Sequence, residues 1–265
     1  MTNQKALGQT IVIRKDNYAI IKFNRPEKMN ALNPELFTSI AEAVEDVKKD
    51  DRIRAVILTG NGDHFSAGGD VKEDIDPLKH MPPEEFKAYF KPINQLYVDL
   101  YHLNKPTISA INGYALGAGL ELALCCDIRI AADNSQMGEF FVRMGLVPET
   151  GTCLLPKIVG PGAAKMMCFS GDAYNADQAL QIGLVDRVVP PAELMESAEN
   201  LAEKLAKGPS SIRLIKEAIN KLGYMPLEES IDHALSYQFA ATRTLDHKEA
   251  VDAFCEKRKS VFKGN

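Results

Sequence analysis

"KPTISAINGYALGAGLELALCCDIRIAA", residues 105–132, reads as strand, glycine turn, short helix and strand in close succession. "PTISAIN" is a β-branched, apolar run, Gly117 to Cys126 carries a short helical pattern, and "DIRIAA" returns to strand. The same alternation continues outward. On the N-terminal side, "TIVIRK" and "YAIIKF" predict a hairpin about Asp16-Asn17, followed by an amphipathic helix from Pro34 to Lys49. "RAVILTG" follows as a buried strand, and a helix is expected from about Pro83 to Leu103. This order defines an α/β fold.

After about Ser197 the strand signals stop. Helical segments are expected over Ala198 to Lys207, Ser210 to Leu222, Leu227 to Thr242 and Lys248 to Lys257, so the chain divides into a core unit, 1–197, and a helical unit, 198–265. Leu227, Ile231, Leu235 and Phe239 recur at helical spacing, a face suited to packing on the core or between subunits.

The composition narrows the function classes. The 265 residues are 45% hydrophobic and 25% charged, which are ordinary globular values. A net charge of −5 argues against a general nucleic-acid surface, which needs a concentrated basic face. The apolar stretch from Pro106 to Ala132 is interrupted by Asn112, Glu121, Asp127 and Arg129, so no membrane span is expected. Cys125, Cys126, Cys153, Cys168 and Cys255 form no Cys-x-x-Cys pair and no signal sequence opens the chain, so a reducing, cytoplasmic setting is expected, with the cysteines as small core residues.

Several familiar chemistries fail on spacing. Gly117-Ala118-Gly119 follows a strand as a dinucleotide fingerprint would, but the third glycine is missing, and no Gly-x-x-x-x-Gly-Lys-Ser/Thr occurs. His64, Ser66 and Asp70 lack the Gly-x-Ser-x-Gly elbow of a hydrolase. The five histidines are scattered, and no metal site is expected. What remains is a pair of small-residue segments at strand ends, "SAGGD" at 66–70 and "GYALGAGLEL" at 113–122. Two main-chain amides from such segments are enough for an oxyanion hole.

Together the segments resemble the crotonase, or enoyl-CoA hydratase/isomerase, superfamily. The resemblance rests on "NRPEKMNALN" at 24–33, "AVILTGNGDHFSAGGDV" at 55–71, the opening stretch at 105–132, "GLVPETGTCLLPKIVG" at 145–160, "ALQIGLVDRVV" at 179–189 and "AFCEKRKSVF" at 253–262. It implies an α/β crotonase-type ββα spiral core with a C-terminal helical oligomerisation region that also covers the active site. It implies acyl-CoA thioester substrates, no cofactor beyond their CoA moiety, and a homotrimer or dimer of trimers. By position, it places the oxyanion hole at the amides of Ser66 and Ala118, the latter beside Gly117. It places the CoA thioester near Lys28, Ala31, the backbone of Ser66, Ala67, Gly68, Gly69 and Asp70, Gly117, Ala118 and Lys257.

The carboxylates decide the expected reaction. Hydratases of the family carry two glutamates; Glu121 matches one, whereas Phe141 stands where the second belongs. Glu139 lies two positions early, and on a helix that offset turns a side chain by about 200°, so it is not expected to substitute. Glu149, in "MGLVPETGT" at 144–152, matches the acid of family members that move a double bond. The expectation is therefore an enoyl-CoA isomerase working through a thioester enolate, with Glu149 as proton shuttle and Glu121 assisting. The alternative is a hydratase pairing Glu121 with Glu149. A third reading, a non-catalytic CoA-binding homologue, is disfavoured because both acids and both small-residue segments are present. "EDIDPLKHMPPEEF", 73–86, is expected to be a mobile, polar edge of the acyl pocket.

Overall fold

Alternating burial along Thr10–Arg14 (β2) and near-complete burial of Tyr18–Phe23 (β3) make the first hairpin the edge of the main sheet, extended by Asn3–Leu7 (β1). These observations come from a computed structural model that describes residues 3–265; residues 1 and 2, where the first predicted unit begins, lie outside the described residues. Helix α1 spans Pro34–Lys49, with Pro34 at its first position and the Asn33 side chain accepting from the Leu36 amide. Such a cap is worth about 1 kcal/mol. Ala55–Gly60 (β4), helix Pro83–Tyr101 (α2) and Thr107–Ile111 (β5) follow.

Next come Tyr114–Leu116 (β6), Ala118–Leu124 (α3), Ile128–Ala132 (β7), Gln136–Gly138 (β8), Thr150–Cys153 (α4), Leu155–Ser170 (α5), Tyr174–Asn175 (β9), Ala176–Gln181 (α6) and Arg187–Val189 (β10). The chain closes with four helices, Leu194–Ala206 (α7), Ser211–Leu222 (α8), Leu227–Thr242 (α9) and Leu245–Cys255 (α10).

The main sheet has the order β1-β2-β3-β4-β5-β7-β10, antiparallel as far as β3 and parallel beyond it. Every residue of β4 and β5 is buried, as parallel strands covered on both faces require. Val56 and Leu58 of β4 face α1 and α2, through Leu36, Ile40, Ile93 and Leu96. Ile57, with Ile20, Ile108 and Ile130, faces α7, whose Ala198, Ala202 and Ala206 form a small-residue stripe. The expected unit boundary at 197/198 thus falls inside a helix packed on the core sheet. A second sheet, β6-β8-β9, was not foreseen, because two- and three-residue strands carry no readable period.

Leu227, Ile231, Leu235 and Phe239 of α9 are exposed, so within one chain this face does not pack on the core. The expectation that the cysteines are core residues holds for Cys125 and Cys126; Cys153 and Cys255 are exposed. No helix among the described residues is long and apolar enough to cross a membrane.

Candidate active site

The site is built where the segment after β4 crosses the segment after β6. Ser66 forms an isolated parallel bridge with Ala115: its amide donates to the Tyr114 carbonyl at 2.8 Å, and the Leu116 amide donates to its own carbonyl at 3.0 Å. Its hydroxyl donates to the Asn30 carbonyl at 2.8 Å. Gly119 closes on it so tightly that a Cβ there would lie 2.6 Å from Ser66 Cβ. Gly68, with φ +93°, passes equally close to the Leu116 carbonyl.

This geometry corrects one sequence assignment. The Ser66 amide is already engaged, and Ser66 does not line the cavity, so it is a staple between the two segments rather than an oxyanion donor. The Ala67 amide donates to Met29, that of Gly68 to Ser66 Oγ, and that of Asp70 to Leu32. Among the described residues, Gly69 alone in this run has an amide without a partner, and it lines the cavity. Opposite it, Gly117 opens α3, and the first helical hydrogen bond, from the Glu121 amide to the Gly117 carbonyl, leaves the Ala118 amide without a partner among the described residues. Among the described residues, Gly69 and Ala118 thus carry the free amides that these two segments bring to the cavity.

Between these amides and α2 lies a cavity of about 550 Å³, walled by Phe90, Ile93, Tyr97, Phe141 and Leu146, with Glu149 on its surface. Glu121 is fully buried behind it, and its Oε1 accepts from the Gly151 amide at 2.8 Å. The other carboxyl oxygen of Glu121, Oε2, is buried with no hydrogen-bond partner among the described residues. Burial first, then the charges of Glu139 and Glu149, raise the proton affinity of Glu121 well above the usual carboxylate range. Glu149 is also raised, chiefly by burial, and because a charge on Glu149 disfavours ionisation of Glu121, the two neighbouring acids favour a singly protonated pair.

Glu139 departs from expectation. It precedes the 3₁₀ turn Phe140–Met144 with φ −89° and ψ 82°, so the helical rotation that would turn it away does not apply. Its carboxyl is fully buried against Gly151, and its pKa is pushed up to about 8 by burial and by the charge of Glu149. It completes a cluster of three carboxyls but does not line the cavity.

The nucleotide-side assignments are less concentrated. Lys28 and Lys257 are exposed and neither lines the cavity; Lys257, with φ +55°, follows α10. The Ala31 carbonyl accepts from Arg25, and the Asp70 side chain caps the turn at Val71–Ile75 and pairs with Arg25 at 3.2 Å. Ala67, Gly68 and Gly117 line the cavity.

Residues 14–265 match the model of the enoyl-CoA hydratase/isomerase family. The crotonyl-CoA hydratase of Syntrophomonas wolfei is 40% identical, over 97% of this chain and 98% of its own. The 1,2-epoxyphenylacetyl-CoA isomerase of Escherichia coli is 37% identical, over 92% and 94%. The crystal structure of a putative enoyl-CoA hydratase from Streptomyces coelicolor A3(2) superposes with a TM-score of 0.94 at 29% identity, covering 100% of this chain and 98% of that one. The chain belongs to the enoyl-CoA hydratase/isomerase, or crotonase, superfamily, and it is an enzyme of that superfamily.

Proposed function

We propose that the enzyme adds water reversibly to a 2-enoyl-CoA. The observation that carries this reading is the pair of neighbouring acids, Glu149 on the cavity surface and Glu121 buried behind it, at a cavity lined by Gly69 and Ala118, whose amides have no partner among the described residues. In the forward direction the ionised Glu149 takes a proton from water as the water oxygen bonds to C3. The double-bond electrons move through C2 onto the thioester oxygen, where the Gly69 and Ala118 amides stabilise the enolate. Each such donor is worth roughly 3 kcal/mol. The pair then returns a proton to C2, so H and OH have been added and the carboxyls end with the one proton they began with. Support also comes from relatives named as hydratases at 40% and 38% identity.

A second reading, the one expected from sequence, keeps specific support. Phe141 occupies the place of the family's second hydratase glutamate, and Glu149 rather than Glu121 faces the cavity. A single carboxylate there can take a proton from C2 of a 3-enoyl-CoA and return it at C4 over the same enolate. Supplying purified enzyme with matched 2-enoyl- and 3-enoyl-CoA, and following 3-hydroxyacyl-CoA and double-bond position by mass spectrometry, separates the two. Rapid 3-hydroxyacyl formation from the 2-enoyl substrate supports hydration; migration with no hydroxyacyl product overturns it.

The nucleotide end of the substrate is assigned to the mouth of the cavity, with Lys28, and Lys257 of the same or a neighbouring chain, as point charges for phosphate. The exposed apolar face of α9 supports assembly as a homotrimer or dimer of trimers.

A further inference from the structure

One carboxyl of the cavity has no part in the chemistry above. Val71–Ile75 forms a π-turn, in which the Ile75 amide donates to the Asp70 carbonyl at 3.1 Å, and the turn carries Asp74 into the cavity wall. Turns of this kind recur at functional sites because the extra residue re-aims a side chain. Asp74 Oδ1 accepts from the Tyr89 hydroxyl. Oδ2 has no partner among the described residues and lies against Gly69, 2.7 Å from where a Cβ on that glycine would stand. Around it the wall is apolar, with Ile75, Leu78 and Phe90. No cation is paired with Asp74 among the described residues.

We propose that Asp74 is a specificity-determining residue that receives a hydroxyl group carried on the acyl chain of the substrate. The inference rests on the acyl-CoA reading of the cavity and deepens it. A wholly hydrocarbon chain seated here strips water from Oδ2 and offers nothing in return. An acyl chain ending in a carboxylate sets another acid beside Asp74 and Glu149, whose proton affinity Asp74 already raises. An ammonium group brings a full charge into an apolar chamber. A hydroxyl donates to the ionised carboxylate and accepts from the protonated acid, so it satisfies Asp74 in either state. Burial favours the protonated state of Asp74, since it raises its proton affinity.

The test uses saturated ligands, which bind without turnover and so leave the identity of the reaction aside. Hexanoyl-CoA, 4-hydroxyhexanoyl-CoA and 5-hydroxyhexanoyl-CoA are titrated into the full-length enzyme by calorimetry. One hydroxyacyl ligand is expected to bind about tenfold more tightly than hexanoyl-CoA, the worth of one buried hydrogen bond. Asp74→Leu removes that preference while hexanoyl-CoA binds as well as before or better, which also reports that the variant is folded. Equal or weaker binding of both hydroxyacyl ligands by the wild-type enzyme overturns the inference without recourse to any variant, as does a preference that survives in Asp74→Leu. Failure of all three ligands to bind takes down the acyl-CoA reading itself, and this inference with it.

Discussion

Glu139 is fully buried, and neither of its carboxyl oxygens has a hydrogen-bond partner among the described residues. Its pKa rises from an ordinary 4.5 to about 8, so between those values the folded chain keeps a proton that the unfolded chain releases. The unfolded state binds fewer protons there, and stability falls as pH rises through the window, by up to about 1.4 kcal/mol per pH unit for this group. Thermal melting is expected at lower temperature at pH 8 than at pH 5, with a smaller difference in Glu139→Gln; an unchanged difference contradicts the assignment. The same substitution removes a charge that raises Glu121, so the alkaline limb of the pH–rate profile should move to lower pH. Glu121, Glu149 and Ala118 were singled out in the sequence by their places in motifs that resemble the family's, and the structure brings them to the cavity or directly behind it. The free Gly69 amide was not. Whether Ser66 or Gly69 is unpaired depends on Met29, Leu32 and Tyr114, which are remote in the chain, and a run of small residues does not reveal which of its amides they engage.

Helix α3 and the segment after β4 act as one element, because Gly119 leaves room for Ser66. Gly119→Ala places a methyl 2.6 Å from Ser66 Cβ and must push the two amide-bearing segments apart. We expect a loss of stability of about 1–3 kcal/mol, read by denaturant melting, together with a fall in kcat larger than the change in KM. Wild-type kcat in this variant contradicts the view that the spacing of the two segments sets the oxyanion geometry. The long elements, α1, α2, β4, β5 and α9, were all visible in the sequence from period and caps. The π-turn at Val71–Ile75 was hidden inside a polar stretch whose charges read as surface, although Ile75 and Leu78 line the cavity. One extra residue in a turn leaves no mark on hydropathy.

At the scale of the whole molecule, the sequence gives an α/β core followed by helices, and the structure keeps that order while packing α7 on the core sheet. Leu235 is 64% and Phe239 61% exposed in the single chain, more than a lone helix face ordinarily leaves to water. If this face joins copies of the chain, light scattering should give the mass of three or six chains for the wild type. The double change Leu235→Asp with Phe239→Asp should give that of one chain. A monomeric wild-type protein contradicts the assembly. The helical period marked this face from the start, but it did not distinguish core from partner, since both require the same apolar stripe.

The central claim is that Glu121 and Glu149 act as one acid–base pair on an enoyl thioester. The most direct test is the initial rate of 3-hydroxybutyryl-CoA formation from 2-butenoyl-CoA by the wild-type enzyme, Glu149→Gln and Glu121→Gln, with binding of butyryl-CoA measured alongside. The account predicts turnover by the wild type and a fall of roughly 10²–10⁴-fold in each variant, with binding retained. A wild type that does not add water, or a Glu149→Gln variant that still does at an undiminished rate, would contradict it.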